Sequence, residues 1–338
     1  MGLLDWLFGT RHGECAGEAR RDEALEQLID AIDPRLHLLA DARARLCPVV
    51  GVALDYADGV AAGLVPCVDT QPESWAASPV LRAFFVRPAE VADTLSTSPD
   101  LRDFLASPAA EGLEQVFCVL AATRSEHTVL GPALEGEFLR QDVARQTVSF
   151  NHFRLFGFSA SEAALRRRVA DIVLEGLVLA ALRRVAARQQ QGERLAFAQR
   201  LLRARVALVE QSRAGLDALE CGSWQGRDLA DLRARLAANA AELHALEAAG
   251  SGLEATIDTV VATLTDAATV IHAENLCLHL DAMNVVVPPE HPGARTVPLL
   301  AFSTATPGTS RRVAFGACVP RASVAARRID WDVGMRLL

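Results

Sequence analysis

The sequence predicts a predominantly helical α+β fold, with a small antiparallel β-sheet and a long antiparallel helical, coiled-coil-like hairpin inserted. Three observations predict it. The stretch Ser159–Asn275 has helical spacing of its apolar residues along most of its length. The two halves of that stretch carry opposite charge. Short segments rich in β-branched and aromatic residues precede and follow it, so we expect them to share one sheet.

Each arm of the hairpin has one apolar row. On the first arm the spacing is seven residues, at Leu195, Leu202, Val209 and Leu216. On the second arm the steps alternate between three and four, at Leu229, Leu232, Leu236, Leu243 and Leu246. Two such rows pack against each other. Asn239 and Arg205 also fall in the rows, where a polar side chain either fixes the register or reaches solvent past neighbouring alanines.

The charge of the arms supports the same pairing. Eleven Arg and five acidic residues lie between Ala160 and Arg213, a balance of +6. Three Arg and ten acidic residues lie between Ala214 and Asn275, a balance of −7. The loop Glu220–Gly226 is short and contains glycine, which favours antiparallel packing of the helices that it joins. The basic arm would therefore lie beside the acidic arm.

These patterns divide the chain into four regions. Residues 1–17 are an apolar segment and linker, and residues 18–158 are a helical region followed by a β meander. Residues 159–275 hold the long helices, from which a hairpin of about 191–251 projects. Residues 276–338 are β-rich and complete the sheet. At 338 residues, the chain is long enough for one large or two ordinary domains.

The first region of secondary structure is helical. Apolar spacing predicts a helix over Glu18–Ile32, and a second helix from Pro34 that Pro48 interrupts. Val49–Val65 fits either a helix or a buried strand, with helix favoured. Three short helices follow at Pro79–Phe85, Pro88–Ser96 and Pro99–Ser107, and Ser98 and Ser107 are placed as N-caps before Pro99 and Pro108.

The pattern then changes to strand. Val116–Ala122 and Thr147–Phe158 have β composition, and Thr128–Leu130 and Glu137–Arg140 are shorter candidates, so we predict a small antiparallel meander. In the last strand the alternation slips by one residue at Asn151–His152. A slip of this kind is typical of a bulge or a turn.

The long helices come next. Ser159 and Ser161 are placed to cap the first helix, and the apolar run Ile172–Val185 should be covered on most sides. The polar run Arg188–Gly192 predicts a kink or break there. The second arm should extend from about Gly226 to Ala249 and restart after Gly250–Gly252.

Three further strands complete the prediction. They are Leu276–Val287, Val297–Ser303 and Arg312–Val319.

The composition excludes several classes of enzyme. The chain contains no lysine, which excludes Schiff-base chemistry, a lysine general base and the Walker A phosphate loop. The net charge of −8 disfavours general nucleic-acid binding, which needs clustered positive charge. No catalytic set of residues can be assigned. Cys118 with His127 or His152 would be a nucleophile pair, but a buried inert thiol is the favoured interpretation of Cys118.

Seven cysteines, odd in number and never in Cys-x-x-Cys spacing, favour free thiols and a cytoplasmic location. No export signal is visible, because the start lacks a basic region. Residues 1–9 would instead form a small interfacial helix around Trp6, attaching the protein to a membrane surface, or would dock on protein. Trp224 lies at the predicted hairpin tip, where a large aromatic side chain indicates a contact site.

The densest set of metal-ligand types is His272, Cys277, His279 and Asp281. On a strand, Leu276, Leu278 and Leu280 would share one face, and Cys277, His279 and Asp281 the other. On a helix, His272 and His279 would share a side. Either arrangement would offer Zn²⁺ two or three ligands. The plainer interpretation is that these residues form a partly exposed polar face next to a leucine core.

The sequence therefore favours a non-catalytic interaction or scaffold protein. It would associate through the helical hairpin with a protein partner or with itself, as a homo-oligomer. The first alternative is a metal-binding protein or enzyme that uses the cluster His272–Asp281. The second is a peripheral membrane protein attached by its N-terminal apolar segment.

Overall fold

The computed structural model describes residues 17–135, 138–216, 224–248, 250, 252–304 and 311–324. The chain divides into two compact units, each made of two separate stretches of sequence. One unit contains the residues up to Ala53 and Leu177–Asp266. The other contains Leu54–Gly176 and the residues from Ala267 onward. Nearly all helical residues between 177 and 266 thus belong to the first unit, and the strands belong to the second.

The helices, in chain order, are α1 (Gly17–Ile32), α2 (Ala42–Ala62), α3 (Pro79–Phe84), α4 (Pro88–Thr97), α5 (Pro99–Ala106), α6 (Glu162–Leu216), α7 (Trp224–Ala248), α8 (Gly252–Thr265) and α9 (Ala267–Val270). Short 3₁₀ turns occur at Pro34–Leu38, Pro72–Trp75, Pro108–Ala110 and Arg321–Ser323. The strands are β1 (Val68–Asp69), β2 (Gln115–Glu135), β3 (Phe138–Ser159), β4 (Ile271–Leu280), β5 (Arg295–Thr304) and β6 (Arg312–Pro320). The protein is a mixed α+β structure with one very long helix.

All six strands belong to one sheet. Its order is β3-β2-β6-β5-β4, with antiparallel neighbours, and β1 pairs with β6 in parallel. The strand-like segments before and after the long helices therefore share a sheet, as the sequence predicts. Strand β6 joins the two sets of strands. It follows the long helices in the chain, and it pairs with β2, which precedes them, on one side and with β5 on the other.

The two outer strands of the sheet are linked at one end by residues 284–287. The Val148 N–H donates to the Asn284 carbonyl at 2.9 Å, on the side of β3. The Val287 N–H donates to the His279 carbonyl at 3.0 Å, on the side of β4. Exposed strand edges are templates for unwanted pairing, so this link satisfies part of both edges within the chain.

The predicted meander is a long two-stranded ribbon instead. Thr128–Leu130 is part of β2, and the predicted segment Glu137–Arg140 is part of β3 from Phe138 onward, its first residue lying outside the described residues. The two strands pair with each other along nearly their full length. Pairing of β2 with β6 ends at Thr123. Past that point, side chains on both faces of β2 from Glu126 to Leu130 are exposed. A strand that is exposed to solvent on both faces lacks the apolar alternation by which strands are recognised. The strands predicted from the sequence were therefore shorter than those observed.

The predicted slip in β3 is confirmed as a bulge. The register of β2 and β3 shifts between Ala121 and Thr123, where β3 contains one residue more than its partner. His152, within that bulge, has φ 56°. Positive φ is uncommon for a residue with a side chain and fits the local reversal of the strand.

One face of the sheet is covered by α3, α4 and α5. Phe84 stacks on Phe150 with ring centroids 4.2 Å apart and meets the edge of Phe315 at 5.0 Å. Phe85 and Phe315 are fully buried in the same cluster. On the other face of the sheet, Leu165 of α6 approaches Gly157. Both faces are thus covered by helices of the same unit.

Serine side chains begin several helices as the sequence predicts. Ser98 Oγ accepts the Leu101 N–H at 3.3 Å, and Ser161 Oγ accepts the Ala164 N–H at 3.2 Å. Ser78 caps α3 in the same way. Ser107 is the N-cap residue of the 3₁₀ turn Pro108–Ala110, as predicted, but its side chain makes no such bond. Its hydroxyl donates to the Phe104 carbonyl at 2.6 Å instead.

Three predicted boundaries are also corrected. Pro48 does not end a helix but lies inside α2, where burial of residues such as Leu46 and Val50 offsets the one backbone hydrogen bond that a proline removes. The predicted break at Arg188–Gly192 is absent, and α6 is continuous. The strand predicted from Leu276 begins at Ile271, which pairs with Thr304 of β5. Tertiary pairing overrides the helical spacing there.

Among the helices in the described part of the chain, none combines the length and the apolar character needed to cross a bilayer.

Candidate interaction surface

Helices α6 and α7 have inner rows that match the predicted apolar spacing. Leu195, Leu202 and Val209 on α6 are half-buried. On α7, Leu229 is buried and the other members of its row are half-buried, namely Leu232, Leu236, Leu243 and Leu246. Spacing of three and four residues keeps these side chains on one face of each helix. The inner rows therefore cover each other only partly from solvent.

The two polar residues of the rows behave differently. Arg205 is exposed, so its guanidinium reaches solvent. Asn239 is half-buried, and its Oδ1 atom is shielded from solvent and accepts no hydrogen bond from the described residues. The interpretation that both side chains reach solvent holds for Arg205 and is wrong for the Asn239 oxygen. An amide oxygen that is shielded from solvent without a hydrogen bond lowers the stability of the native packing. It also disfavours packing of the two rows in other registers.

Polar contacts join α6 to α7 at two places. Near the end of α7, the Arg188 guanidinium donates to the carbonyls of Leu246 at 3.1 Å and Gly250 at 2.8 Å. These carbonyls have no partner within the helix, so the arginine satisfies the end of α7. Near its start, Arg233 pairs with Glu210 of α6 at 2.6 Å. Gly192, at the expected break, leaves room for Leu246, whose Cδ2 atom would lie 3.5 Å from an added Cβ.

The outward face of α6 carries large apolar side chains in solvent. Phe197 is 63% exposed, Leu201 45% and Leu208 65%. Spacings of four and seven residues place the three on one side of the helix, about 100–160° around the axis from its inner row. We call these three residues the apolar stripe. A contiguous apolar patch that stays in solvent is typical of a contact surface.

Arginines flank the apolar stripe. Arg194 and Arg205, both exposed, follow one side of it, and Arg200 lies on the other side. The Arg200 Nε–H donates only within its own helix, to the Ala196 carbonyl at 3.4 Å. The apolar stripe thus has an apolar centre and a basic rim. Protein interfaces commonly combine an apolar core with a polar rim.

The outward face of α7 has the opposite character. It presents short side chains, which are all exposed, at Ala234, Ala238, Ala241 and Ala245. We call these four residues the alanine face. Asp231 and Glu242 lie along one side of it. Asp231 pairs with Arg235 one turn later, at 2.9 Å, and remains 60% exposed.

No protein-family model, curated protein or solved structure matches the chain.

A groove of about 460 Å³ also lies in the first unit, beside α6 and α8. Asp33, Arg35, Arg188, Glu193 and Glu247 contribute its charged lining. Arg35 pairs with Asp33 at 2.6 Å and holds the pKa of that carboxyl below its usual range. Arg188 is bound to the end of α7 as described above. Both arginines of the groove are therefore bound to other groups of the chain.

The predicted metal ligands lie along β4 and the turn after it. The strand has the predicted alternation, with Leu278 and Leu280 buried and Cys277 exposed, so the helical alternative for this segment is wrong. His272 and His279 are seven residues apart on an extended strand, which separates them by about 23 Å. One ion bound by both would require β4 to bend sharply.

Two members of the predicted metal set, His279 and Asp281, have protein partners. His279 Nδ1 lies 3.4 Å from Thr296 Oγ1 of β5. Asp281 Oδ1 accepts the N–H groups of Met283 at 2.8 Å and Val285 at 2.9 Å, which shapes the turn after β4. Within the described ranges, no group of three or more His, Cys, Asp or Glu is placed to hold a metal ion.

Neither aromatic residue predicted as a contact can be placed. Trp6 lies outside the described residues. Trp224 is the first residue of α7, and its side chain lies outside the described part of the chain. The sequence prediction missed the apolar stripe. A second seven-residue period, offset from the inner row of α6, would have revealed it.

Buried thiols surround the centre of the sheet. Burial raises the pKa of Cys67 to about 12, with Glu162 adding to the effect and Arg166 opposing it. Burial also raises the pKa of Cys118, which is fully buried and lies on the core face. His127 lies nine residues away along β2, about 30 Å in an extended strand. Cys118 is therefore a protonated core residue and not a nucleophile paired with His127.

These thiols predict a loss of stability at high pH. An unfolded thiol ionises near its ordinary value of 9.0, whereas folded Cys67 keeps its proton to about pH 12. Because the folded pKa is raised, the free energy of unfolding should be unaffected below pH 9 and should fall between pH 9 and pH 12. Urea unfolding across that range would measure it. The Cys67→Ala and Cys118→Ala variants should fall less steeply, and slopes equal to the parent's would contradict the assignment.

Proposed function

We propose that this protein is a non-catalytic interaction protein that associates through an antiparallel hairpin formed by α6 and α7. The observation that carries the proposal is the apolar stripe, which remains in solvent although the inner row of α6 is already half-buried. A helix that only contributed to its own fold would keep one apolar face. Helix α6 has two, so the outward face is available to a partner.

The contacts between the helices support the antiparallel arrangement. Arg188, early in this part of α6, meets the last residues of α7. Glu210, late in α6, meets Arg233 in the first half of α7. Residue numbers therefore rise on one helix as they fall on the other. The ion pair itself joins a carboxylate of the basic arm to an arginine of the acidic arm, so it does not depend on the net charge predicted for either arm.

Opposite charge on the two outward faces supports association further. Phe197 and its neighbours are flanked by Arg194 and Arg205, whereas Asp231 and Glu242 flank the alanine face. Complementary surfaces steer and orient binding. A surface of one sign would favour only partners of the other sign. This protein offers both signs on two helices of the same unit.

Deleting Gln191–Ser251 and joining the ends by a short glycine linker tests the proposal. We expect the shortened chain to keep the far-ultraviolet circular dichroism of its sheet but to associate more weakly in sedimentation velocity and in capture of a partner. The reason is that the deletion removes both outward faces. Full-length Leu38→Ser is the control, because Leu38 is exposed in the same unit but remote in sequence. Unchanged sedimentation and unchanged capture after the deletion would contradict the proposal.

A further inference from the structure

We propose that the partner is a second copy of this chain, bound head to tail, with the apolar stripe of one copy packed on the alanine face of the next. The inference rests on the proposed function, and it adds the identity of the partner and the geometry of the contact. The apolar stripe supplies large side chains, Phe197, Leu201 and Leu208, and the alanine face supplies a surface of short ones. Large side chains pack closely against a helix whose facing residues are small.

The spacing of charges is the same on both surfaces. Arg194 and Arg205 are eleven residues apart on α6, and Asp231 and Glu242 are eleven residues apart on α7. Eleven residues make about three helical turns, or about 16 Å, so each pair lies on one side of its helix. Two ion pairs can therefore form at once when Asp231 exchanges its exposed partner Arg235 for an arginine of the next copy. The short side chains of the alanine face leave the guanidinium groups free to reach the carboxylates.

The direction of the contact follows from the hairpin. If copies repeat side by side without inversion, α6 of one copy runs antiparallel to α7 of the next, as it does to its own α7. That direction places Arg194 opposite Glu242 of the next copy, and Arg205 opposite Asp231. In that register Phe197 and Leu201 meet the alanine face near Ala238 and Ala234, whereas Leu208 extends past Ala234.

A symmetric contact of two stripes is disfavoured by charge. It would bring Arg194, Arg200 and Arg205 of both copies together, and like charges across an interface cost binding energy. In the head-to-tail contact the two surfaces are different. An open assembly therefore has one unoccupied apolar stripe at one end and one unoccupied alanine face at the other. Contacts of this kind produce rings when the rotation closes and open chains when it does not.

Mixing two variants of the full chain tests the inference. Phe197→Asp places a carboxylate in the apolar stripe and leaves the alanine face intact. Ala238→Arg places a long cation in the alanine face and leaves the apolar stripe intact. Each substitution is at an exposed helical position, so folding should be retained and circular dichroism would verify it. We expect the dissociation constant of each variant alone to rise by about tenfold or more in sedimentation velocity.

An equimolar mixture should then form a 1:1 heterodimer and nothing larger, because the mixture retains one intact pair of surfaces. Leu38→Asp is the matched control, which alters an exposed apolar residue elsewhere in the same unit and should associate like the parent. Leu208→Ser with Ala241→Arg is a second pair at the same surfaces, should either first variant fail to fold. Association of the parent should also weaken as salt is raised.

The outcomes separate the two proposals. A dimer formed by Ala238→Arg alone would show a symmetric stripe contact, and a mixture that stays monomeric would overturn the head-to-tail inference. If deletion of Gln191–Ser251 still abolishes association in that case, the proposed function stands. A parent chain that is monomeric at every concentration also overturns the inference. Binding of the parent to phosphatidylserine vesicles, lost in Phe197→Asp, would then assign the stripe to a lipid surface.

Discussion

Replacing Phe315 by alanine should lower the free energy of unfolding by about 3–5 kcal/mol, the range for deleting a buried aromatic ring. Phe315 is fully buried on β6 and meets the ring of Phe84 edge-on with centroids 5.0 Å apart. It lies in the core that α3, α4 and α5 share with the sheet. The surrounding strands are hydrogen-bonded on both sides of β6, so the site cannot collapse to fill the space.

Urea unfolding followed by far-ultraviolet circular dichroism would measure that loss. Met283→Ala is the control, because Met283 belongs to the same unit and is 82% exposed. Its loss should stay within about 0.5 kcal/mol. Comparable losses for the two variants would mean that Phe315 does not occupy the core.

Replacing Gly316 by alanine should destabilise the protein, while replacing Gly59 by alanine should stabilise it. A Cβ at Gly316 would lie 2.7 Å from Cys67 Sγ and 3.3 Å from both Cys67 Cα and the Val65 carbonyl oxygen. Backbone atoms on that side cannot turn away, so we expect a loss of about 1–3 kcal/mol. Gly59 is exposed in α2 with nothing within 4 Å of its added Cβ, and alanine there should contribute about 0.5–1 kcal/mol.

Thermal unfolding of both variants beside the parent would give the two signs directly. The pair is informative because the chemical change is the same and only the surroundings differ. Two changes of the same sign would contradict the close approach of Cys67 to β6. The double variant Cys67→Ala with Gly316→Ala should recover part of the loss, since the shorter side chain removes the nearest atom.

Local patterns in the sequence were sufficient for much of the helical structure. Spacing of three and four residues predicts the inner rows of α6 and α7, because a helix brings such residues to one face whatever surrounds it. Ser98 and Ser161 cap their helices as predicted, since a serine before a helix satisfies a backbone N–H within three residues. The bulge at His152 was visible as a slip in alternation.

Other features depended on distant parts of the chain. Pro48 remains inside α2 because the helix is buried along one side. Ile271 begins a strand because Thr304 pairs with it, although its spacing fits the preceding helix. The ribbon of β2 and β3 is stabilised by cross-strand hydrogen bonds, with little apolar alternation to reveal it. In each case a contact made by folding outweighs the local preference.

The candidate surface was predicted in part. The balance of +6 over Ala160–Arg213 and of −7 over Ala214–Asn275 could be counted from the sequence, although α7 itself, with three Arg and four acidic residues, carries little of that negative charge. The apolar stripe could not be assigned in the same way, because Phe197 and Leu208 fit a second face of α6 equally well as buried residues. Only their exposure distinguishes a contact surface from a core. The predicted metal set was not brought together by folding. His272 and His279 are close in sequence, but the extended strand that contains both separates them.

For this protein, the sequence by itself determined which segments are helical, which face of each long helix is apolar, and which sign of charge it carries. Those properties follow from the order of side chains along a regular backbone. The tertiary structure alone decided that β6 joins the two halves of the sheet, that α6 runs without a break, and that the apolar stripe stays in solvent. Pairing and burial depend on residues far apart in the chain, and no local pattern encodes them.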